Sequence, residues 1–220
     1  MKQRRDLSPI ILSLLLLLGI LSLSFLRHCH GIGAWAGSSF DLDMLFAGLY
    51  ALWIAAESPV ARHDADTAGK RTVDLGTCLV YAMGQAGTIL SALWFPSFWH
   101  ASSPAHFMAI ALFLGGVLFR LRAIRTLGRF YSHKVRKLEH HQIVQIGPYH
   151  LVRHPAYTGM IASHAGVTLY FCNWVTLGIL MLVLAPSIIL RIFVEEKMFF
   201  AIEGYSEFAQ NGKRLFPALW

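Results

Sequence analysis

Charge is what this sequence has least of. Asp, Glu, Lys and Arg together make up 14% of its 220 residues, against about a quarter in a soluble domain. That scarcity, beside 55% hydrophobic residues, excludes an ordinary water-soluble globule. Acidic residues are the scarcer sign, 12 against 19 basic, for a net charge of +7. The basic residues fall between apolar runs instead of spreading over a surface, so no nucleic-acid partner is expected. Cysteine is sparse too. Cys29, Cys78 and Cys172 are isolated, with no CxxC or zinc spacing, and read as packing residues. Linkers, low-complexity tracts, internal repeats and the alternating pattern of a membrane barrel are all missing. "GIGAWAG" at 31–37 is no dinucleotide fingerprint, because the glycine spacing is wrong and no strand precedes it.

What is present is a series of uncharged apolar runs near the ~20 residues that cross a bilayer as a helix. Helices satisfy their own backbone in lipid, so the expected fold is all-α, a polytopic transmembrane bundle of about six spans. They are placed at Leu7–Leu26, Asp43–Glu57, Val73–Phe95, His106–Leu121, Tyr157–Phe171 and Trp174–Val194. The first run exceeds the roughly 7–15 apolar residues of a signal peptide, so it reads as an uncleaved helix despite "AWAG" at 34–37. "FCNW" at 171–174 is a tight turn, which predicts a hairpin of the last two spans. Lys and Arg sort to one side of these spans, with Arg27 alone on the other. The positive-inside rule then makes the protein multi-pass, with both termini and the 147–160 loop cytoplasmic.

Polar residues are few before Leu121, and nothing there reads as a site. Asp41 and Asp43 read as an interfacial helix start, favoured near a positive helix N-terminus. The chain divides accordingly into N-terminal transmembrane helices, 1–121, and a chemistry-bearing region, 122–220. The second opens with Arg122, Arg125, Arg129, Lys134, Arg136 and Lys137, a basic stretch suited to anionic membrane lipids. "EHHQIVQIGPYHLVRHPAYTGM" follows, 139–160. His150 and His154 have i,i+4 spacing, but Pro155 biases its predecessor to extended backbone and breaks any helix through the pair. No acidic partner accompanies them, so no metal site is expected. The last span ends in Arg191, Glu195 and Glu196, either a snorkelling arginine with a solvated pair or an intramembrane site.

Taken together, Gly147-Pro148-Tyr149, then Val152-Arg153-His154-Pro155-x-Tyr157-x-Gly159, then Arg191-x-x-x-Glu195-Glu196 resemble the isoprenylcysteine carboxyl methyltransferase family. Phospholipid N-methyltransferases are relatives of that family. The likeness covers about 141–217, with Tyr205, Phe208 and Pro217 at matching tail positions. It departs in a shortened segment between Glu196 and Tyr205 and in Phe208, which stands where a tyrosine is usual.

The resemblance implies a cytoplasmic pocket for S-adenosyl-L-methionine built from the C-terminal third. His141, Gln142, Ile143, Val144, Gly147, Tyr149, His154, Pro155, Ala156, Tyr157 and Glu195 are its implied cofactor-binding residues. Arg191 and Glu195 are the implied catalytic pair. Physical chemistry agrees: the tyrosines offer aromatic faces to a sulfonium cation, the glycines allow close backbone approach, and the prolines fix the turn. A carboxylate acceptor needs no base but needs orientation, which a guanidinium fork supplies. An amine acceptor needs a base, with Glu195 or Glu196 the candidates. The expected activity is carboxyl O-methylation of a lipidic or small hydrophobic acceptor. N- or S-methylation, an NADPH-dependent membrane sterol-type reductase and a non-enzymatic scaffold are the alternatives.

Overall fold

The computed structural model describes residues 8–30, 40–66, 76–98, 104–133, 143–202, 204–217 and 220. Among them are eight α-helices: α1 (Ser8–His30), α2 (Phe40–Asp66), α3 (Thr77–Trp94), α4 (Pro104–Leu127), α5 (Pro155–Phe171), α6 (Trp174–Ile179), α7 (Ala185–Phe199) and α8 (Tyr205–Asn211). The all-α expectation holds. Four stretches, Ser8–Arg27, Leu42–Arg62, Pro104–Leu127 and Trp174–Phe199, are long and apolar enough to cross a membrane. The expected six spans are thus not all of that kind. α5 has 17 residues, about 25 Å of helix at 1.5 Å per residue, short of a ~30 Å hydrocarbon layer.

Large apolar side chains face outward along these helices; Leu14, Leu18, Leu52, Phe107 and Leu182 are all more than half exposed. In water such faces are a liability, and against lipid they are the expected surface. This is an integral membrane protein. The interior is aromatic instead, with Phe46, Tyr50, Trp53, Phe113, Tyr170 and Phe171 buried together.

The tightest packing is between α4 and α5, and glycines cause it. A Cβ on Gly116 would sit 2.4 Å from the Ser163 nitrogen, and one on Gly159 2.7 Å from Arg120 Cβ. Gly159 therefore serves helix contact, where the sequence had suggested close approach to a cofactor. The closeness brings the Arg120 side chain against the first turn of α5.

The turn at "FCNW" is as tight as expected. Cys172 adopts a left-handed conformation, φ 36°, and the Asn173 side chain caps α6 by accepting from the Thr176 N–H at 2.9 Å. The hairpin does not follow, because the two helices diverge. α5 lies along α4, whereas α6 and its continuation pack on α3, tied by Ser91 and Thr176 hydroxyls 3.0 Å apart. That continuation passes through a π-helical turn, Leu180–Leu184, before α7. Pro186 lacks an N–H and would clash with a preceding carbonyl, and the widened turn accommodates it.

Arg27 and Asp43, at the ends of two candidate spans, are buried and paired with each other. Arg27 Nε donates to Asp43 Oδ2 at 3.0 Å, Arg27 Nη1 to the Leu93 carbonyl at 3.1 Å, and the Tyr170 hydroxyl to Asp43 Oδ1 at 3.1 Å. The Asp41 side chain, "AWAG" and the basic residues Lys134, Arg136 and Lys137 lie outside the described residues.

Candidate active site

The 147–160 segment folds as its residues dictate. Gly147 takes a positive φ of 60°, which only glycine adopts without strain. Pro148 begins a 3-10 turn over Gly147–His150, and Pro155 starts α5 at the position where a missing N–H costs nothing. His154 is the non-helical residue between them, φ −122° and ψ 58°. The i,i+4 histidines are consequently not on one helix: His150 is exposed and His154 is buried.

The C-terminal tail holds this loop from behind. Val152 pairs with Lys213 in an isolated parallel bridge, and the N–H groups of Arg153 and His154 donate to the Lys213 and Arg214 carbonyls at 2.8 and 3.0 Å. Glu196 anchors the junction. It receives Arg153 Nη1 at 2.7 Å and Arg214 Nε at 2.9 Å, with His154 Nε2 3.2 Å away. Burial opposes a charge on His154, and its bonds to Glu195 and Glu196 outweigh that, so its pKa is raised.

In front of the loop lies a cavity of about 960 Å³, partly open to the surroundings. Ile143, Val144, Tyr149, His154, Ala156, Tyr157, Arg191 and Glu195 line it, so the structure brings together most of the residues singled out from sequence. Gly147 and Pro155 do not line it and act by shaping the loop. His141 and Gln142 lie outside the described residues. Lining residues that sequence reasoning did not select are Tyr81, Phe130, Tyr131, Ser132, His133, Arg153, Met198 and Phe199, together with Tyr205 and Phe208. A signal existed for the last two, in the matching tail, and for Arg153, inside the motif.

Arg191 does not snorkel. It is 1% exposed and spends its donors inside the protein: Nε on the Tyr157 hydroxyl at 3.0 Å, Nη2 on the His133 carbonyl at 2.5 Å, Nη1 on Thr77 Oγ1 at 3.4 Å. The Tyr157 hydroxyl in turn donates to Glu195 Oε1. Glu195 therefore orients Arg191 through Tyr157, with its own Oε1 3.9 Å from Arg191 Nη2. Arg191 also lies 5.2 Å from the centre of the Tyr81 ring.

A second cavity of about 1170 Å³ adjoins the first. Its wall is largely apolar, from Leu12, Leu16, Ile54, Leu79 and Met83 of α1 to α3, and it ends at Tyr81 and His133, which line both cavities. Residues before Leu121, where no site was read, thus line a cavity beside that of the motif loop. Glu57 faces this cavity and receives Arg120 Nε and Nη2 at 2.6 and 2.8 Å and Trp53 Nε1 at 2.6 Å. Arg120 Nη1 reaches the Ala156 carbonyl at 3.1 Å, linking the apolar cavity's wall to the loop of the first.

The sequence profile of the isoprenylcysteine carboxyl methyltransferase (ICMT) family matches residues 109–201. Protein-S-isoprenylcysteine O-methyltransferase B of Arabidopsis thaliana is 34% identical over 107 residues, 46% of this chain and 54% of that protein. The A form of the same plant is 33% identical over an equal span. A probable protein-S-isoprenylcysteine O-methyltransferase of Oryza sativa subsp. indica is 28% identical over 180 residues, 72% of this chain and 92% of the rice protein. The chain spans about half the length of the Arabidopsis relatives it matches.

Proposed function

We propose that this chain, a member of the isoprenylcysteine carboxyl methyltransferase family through residues 109–201, methylates the carboxylate of a lipidated or otherwise hydrophobic acceptor. The observation that carries the reading is the meeting of two unlike cavities at Tyr81 and His133. One is aromatic, richer in polar groups and lined by the motif loop, and the other is more apolar and lined mainly by the first three helices.

The first cavity suits S-adenosyl-L-methionine. Tyr131, Tyr149 and Tyr157 line it with aromatic faces, which attract a sulfonium, and His154 and Glu195 offer hydrogen bonds. Arg153 Nε is buried with no hydrogen-bond partner among the described residues, and a ligand carboxylate would satisfy it. When bound, this donor supplies a methyl group whose S–C bond electrons return to sulfur as the new O–C bond forms.

The protein's own task is then orientation. A carboxylate nucleophile needs no proton removed, and Arg191, fixed by Tyr157, the His133 carbonyl and Thr77, lines the first cavity, where its guanidinium N–H groups can orient one. Alignment of this kind, with water kept out by an apolar cavity, is what such a displacement requires. Membrane sidedness follows from the Lys/Arg asymmetry: both termini and the motif loop are cytoplasmic. A cysteine placed at His150 should react with an impermeant reagent only from that side.

An amine acceptor is the second reading, favoured by one observation. Burial lowers the pKa of His133, leaving a neutral imidazole at the junction that can take a proton. Glu196 is not such a base, since it is committed to Arg153, His154 and Arg214. The deciding experiment incubates the purified protein with methyl-labelled S-adenosyl-L-methionine and either S-farnesyl-N-acetylcysteine or phosphatidylethanolamine vesicles. Label on the prenyl cysteine, released as methanol by alkali, is expected. Alkali-stable label on the phospholipid alone would overturn the carboxylate reading.

A further inference from the structure

Tyr81 stands at the junction of both cavities, in α3, where the sequence offered no motif. It is 5% exposed, and its hydroxyl has no hydrogen-bond partner among the described residues. Leaving a buried hydroxyl unsatisfied is costly, so this one points to a partner that arrives from outside. The ring is held rigidly: Arg191 lies 5.2 Å from its centre, and Tyr157 meets it at 6.1 Å with an interplanar angle of 78°. A phenol so placed is a fixed donor beside the Arg191 guanidinium.

We propose that the Tyr81 hydroxyl is a substrate-binding donor that, with Arg191, holds the acceptor carboxylate as it enters from the apolar cavity. The proposal rests on the carboxylate reading above and deepens it. Two donors on one carboxylate define its plane, which a single guanidinium contact does not. They also make the site selective for head groups that accept hydrogen bonds over ammonium groups, which only donate. The phenol hydrogen bond is made by the bound acceptor and by nothing else described in the protein. Tyr81 therefore acts on acceptor binding and alignment, not on the fold or the donor pocket.

The test is Tyr81→Phe, which removes one oxygen and keeps the ring. Four measurements on wild type and variant separate the roles: detergent-solubilised thermal stability, S-adenosylhomocysteine affinity, S-farnesyl-N-acetylcysteine affinity in the presence of S-adenosylhomocysteine, and turnover. The variant should be as stable as wild type or more so, since an unsatisfied group is gone. Its S-adenosylhomocysteine affinity should be unchanged. Acceptor affinity, or kcat/KM, should fall about tenfold to a hundredfold, the range of a lost hydrogen bond to a charged group. Equal acceptor affinity and turnover in a wild type that does methylate the probe would overturn the role of Tyr81 alone. Lower stability with loss of both affinities would make Tyr81 a structural residue and also overturn it. A wild type that neither binds nor methylates the probe would sink the carboxylate reading itself, and this proposal with it.

Discussion

Two of the buried arginine–carboxylate pairs among the described residues differ in what lies beside them. Arg27–Asp43 joins α1 and α2, with every contact made to the protein: the Leu93 carbonyl, the Tyr170 hydroxyl and, 5.5 Å away, the Phe171 ring. Neither residue lines either of the two cavities described. Arg120–Glu57 is as well made, with two bonds of 2.6 and 2.8 Å, but Glu57 faces the apolar cavity and Arg120 touches the motif loop. A buried ion pair by itself says little about function, because its Coulomb gain roughly repays desolvation. The informative difference is the empty volume that Glu57 faces, with the unsatisfied Tyr81 hydroxyl at its end.

The sharpest test of that contrast breaks each pair. Asp43→Ala and Glu57→Ala each strand a buried guanidinium, and each should destabilise the protein by about 3–5 kcal/mol. Thermal or denaturant unfolding in detergent measures this. Per folded molecule, only Glu57→Ala should lose acceptor affinity; equal losses in both would erase the distinction between the regions.

Arg191→Lys asks the same question within the site. The charge is kept and the planar fork is lost, so turnover should fall about a hundredfold while the cofactor dissociation constant changes little. Near-normal turnover in the lysine variant would remove the directional role. Loss of cofactor binding together with turnover would instead move Arg191 into the donor pocket.

His154 is expected to matter on a smaller scale. Removing it takes an imidazole from Glu195 and Glu196, which keep Tyr157 and the Arg153–Arg214 pair as their partners, and His154→Ala should weaken cofactor binding by about 1–3 kcal/mol. Calorimetry with S-adenosylhomocysteine reads this directly, and wild-type affinity would take His154 out of the site.

The smallest effect is the pH dependence that the same residue confers. Its pKa in the folded protein is raised, burial being outweighed by Glu195 and Glu196. The stabilisation is therefore complete below the unfolded value of about 6.5 and lost as pH rises through the folded one. Thermal stability of wild type should decline across that window by more than that of His154→Gln. Parallel pH profiles would show that the imidazolium is not what the two carboxylates hold.

These regions also differ in how far they could be read without a structure. The motif loop was legible because its residues act locally. Gly147, Pro148, His154, Pro155 and Tyr157 lie within eleven positions of one another, so turn chemistry and burial are set by near neighbours. Arg191 and Glu195 were legible for a related reason, since charge in an apolar helix is expensive enough to need a cause. The π turn at Leu180–Leu184 and the divergence of α5 from α6 were not legible, because each depends on the surface a helix finds to pack on.

What the sequence determined by itself is the membrane, the helices and the motif loop. Apolar runs without charge have one stable solution in lipid, and glycine and proline fix a turn from within. What the tertiary structure decided is the junction of the two cavities. Glu57 and Arg120 are 63 positions apart, and Arg191 and Thr77 are 114 apart. Tyr81 is one aromatic among many in an apolar helix. Only the close α4–α5 seam at Gly116 and Gly159 and the packing of α7 on α3 bring these groups to one junction. Contacts between distant positions are specified by the shapes of whole helix faces, and no local pattern carries that information.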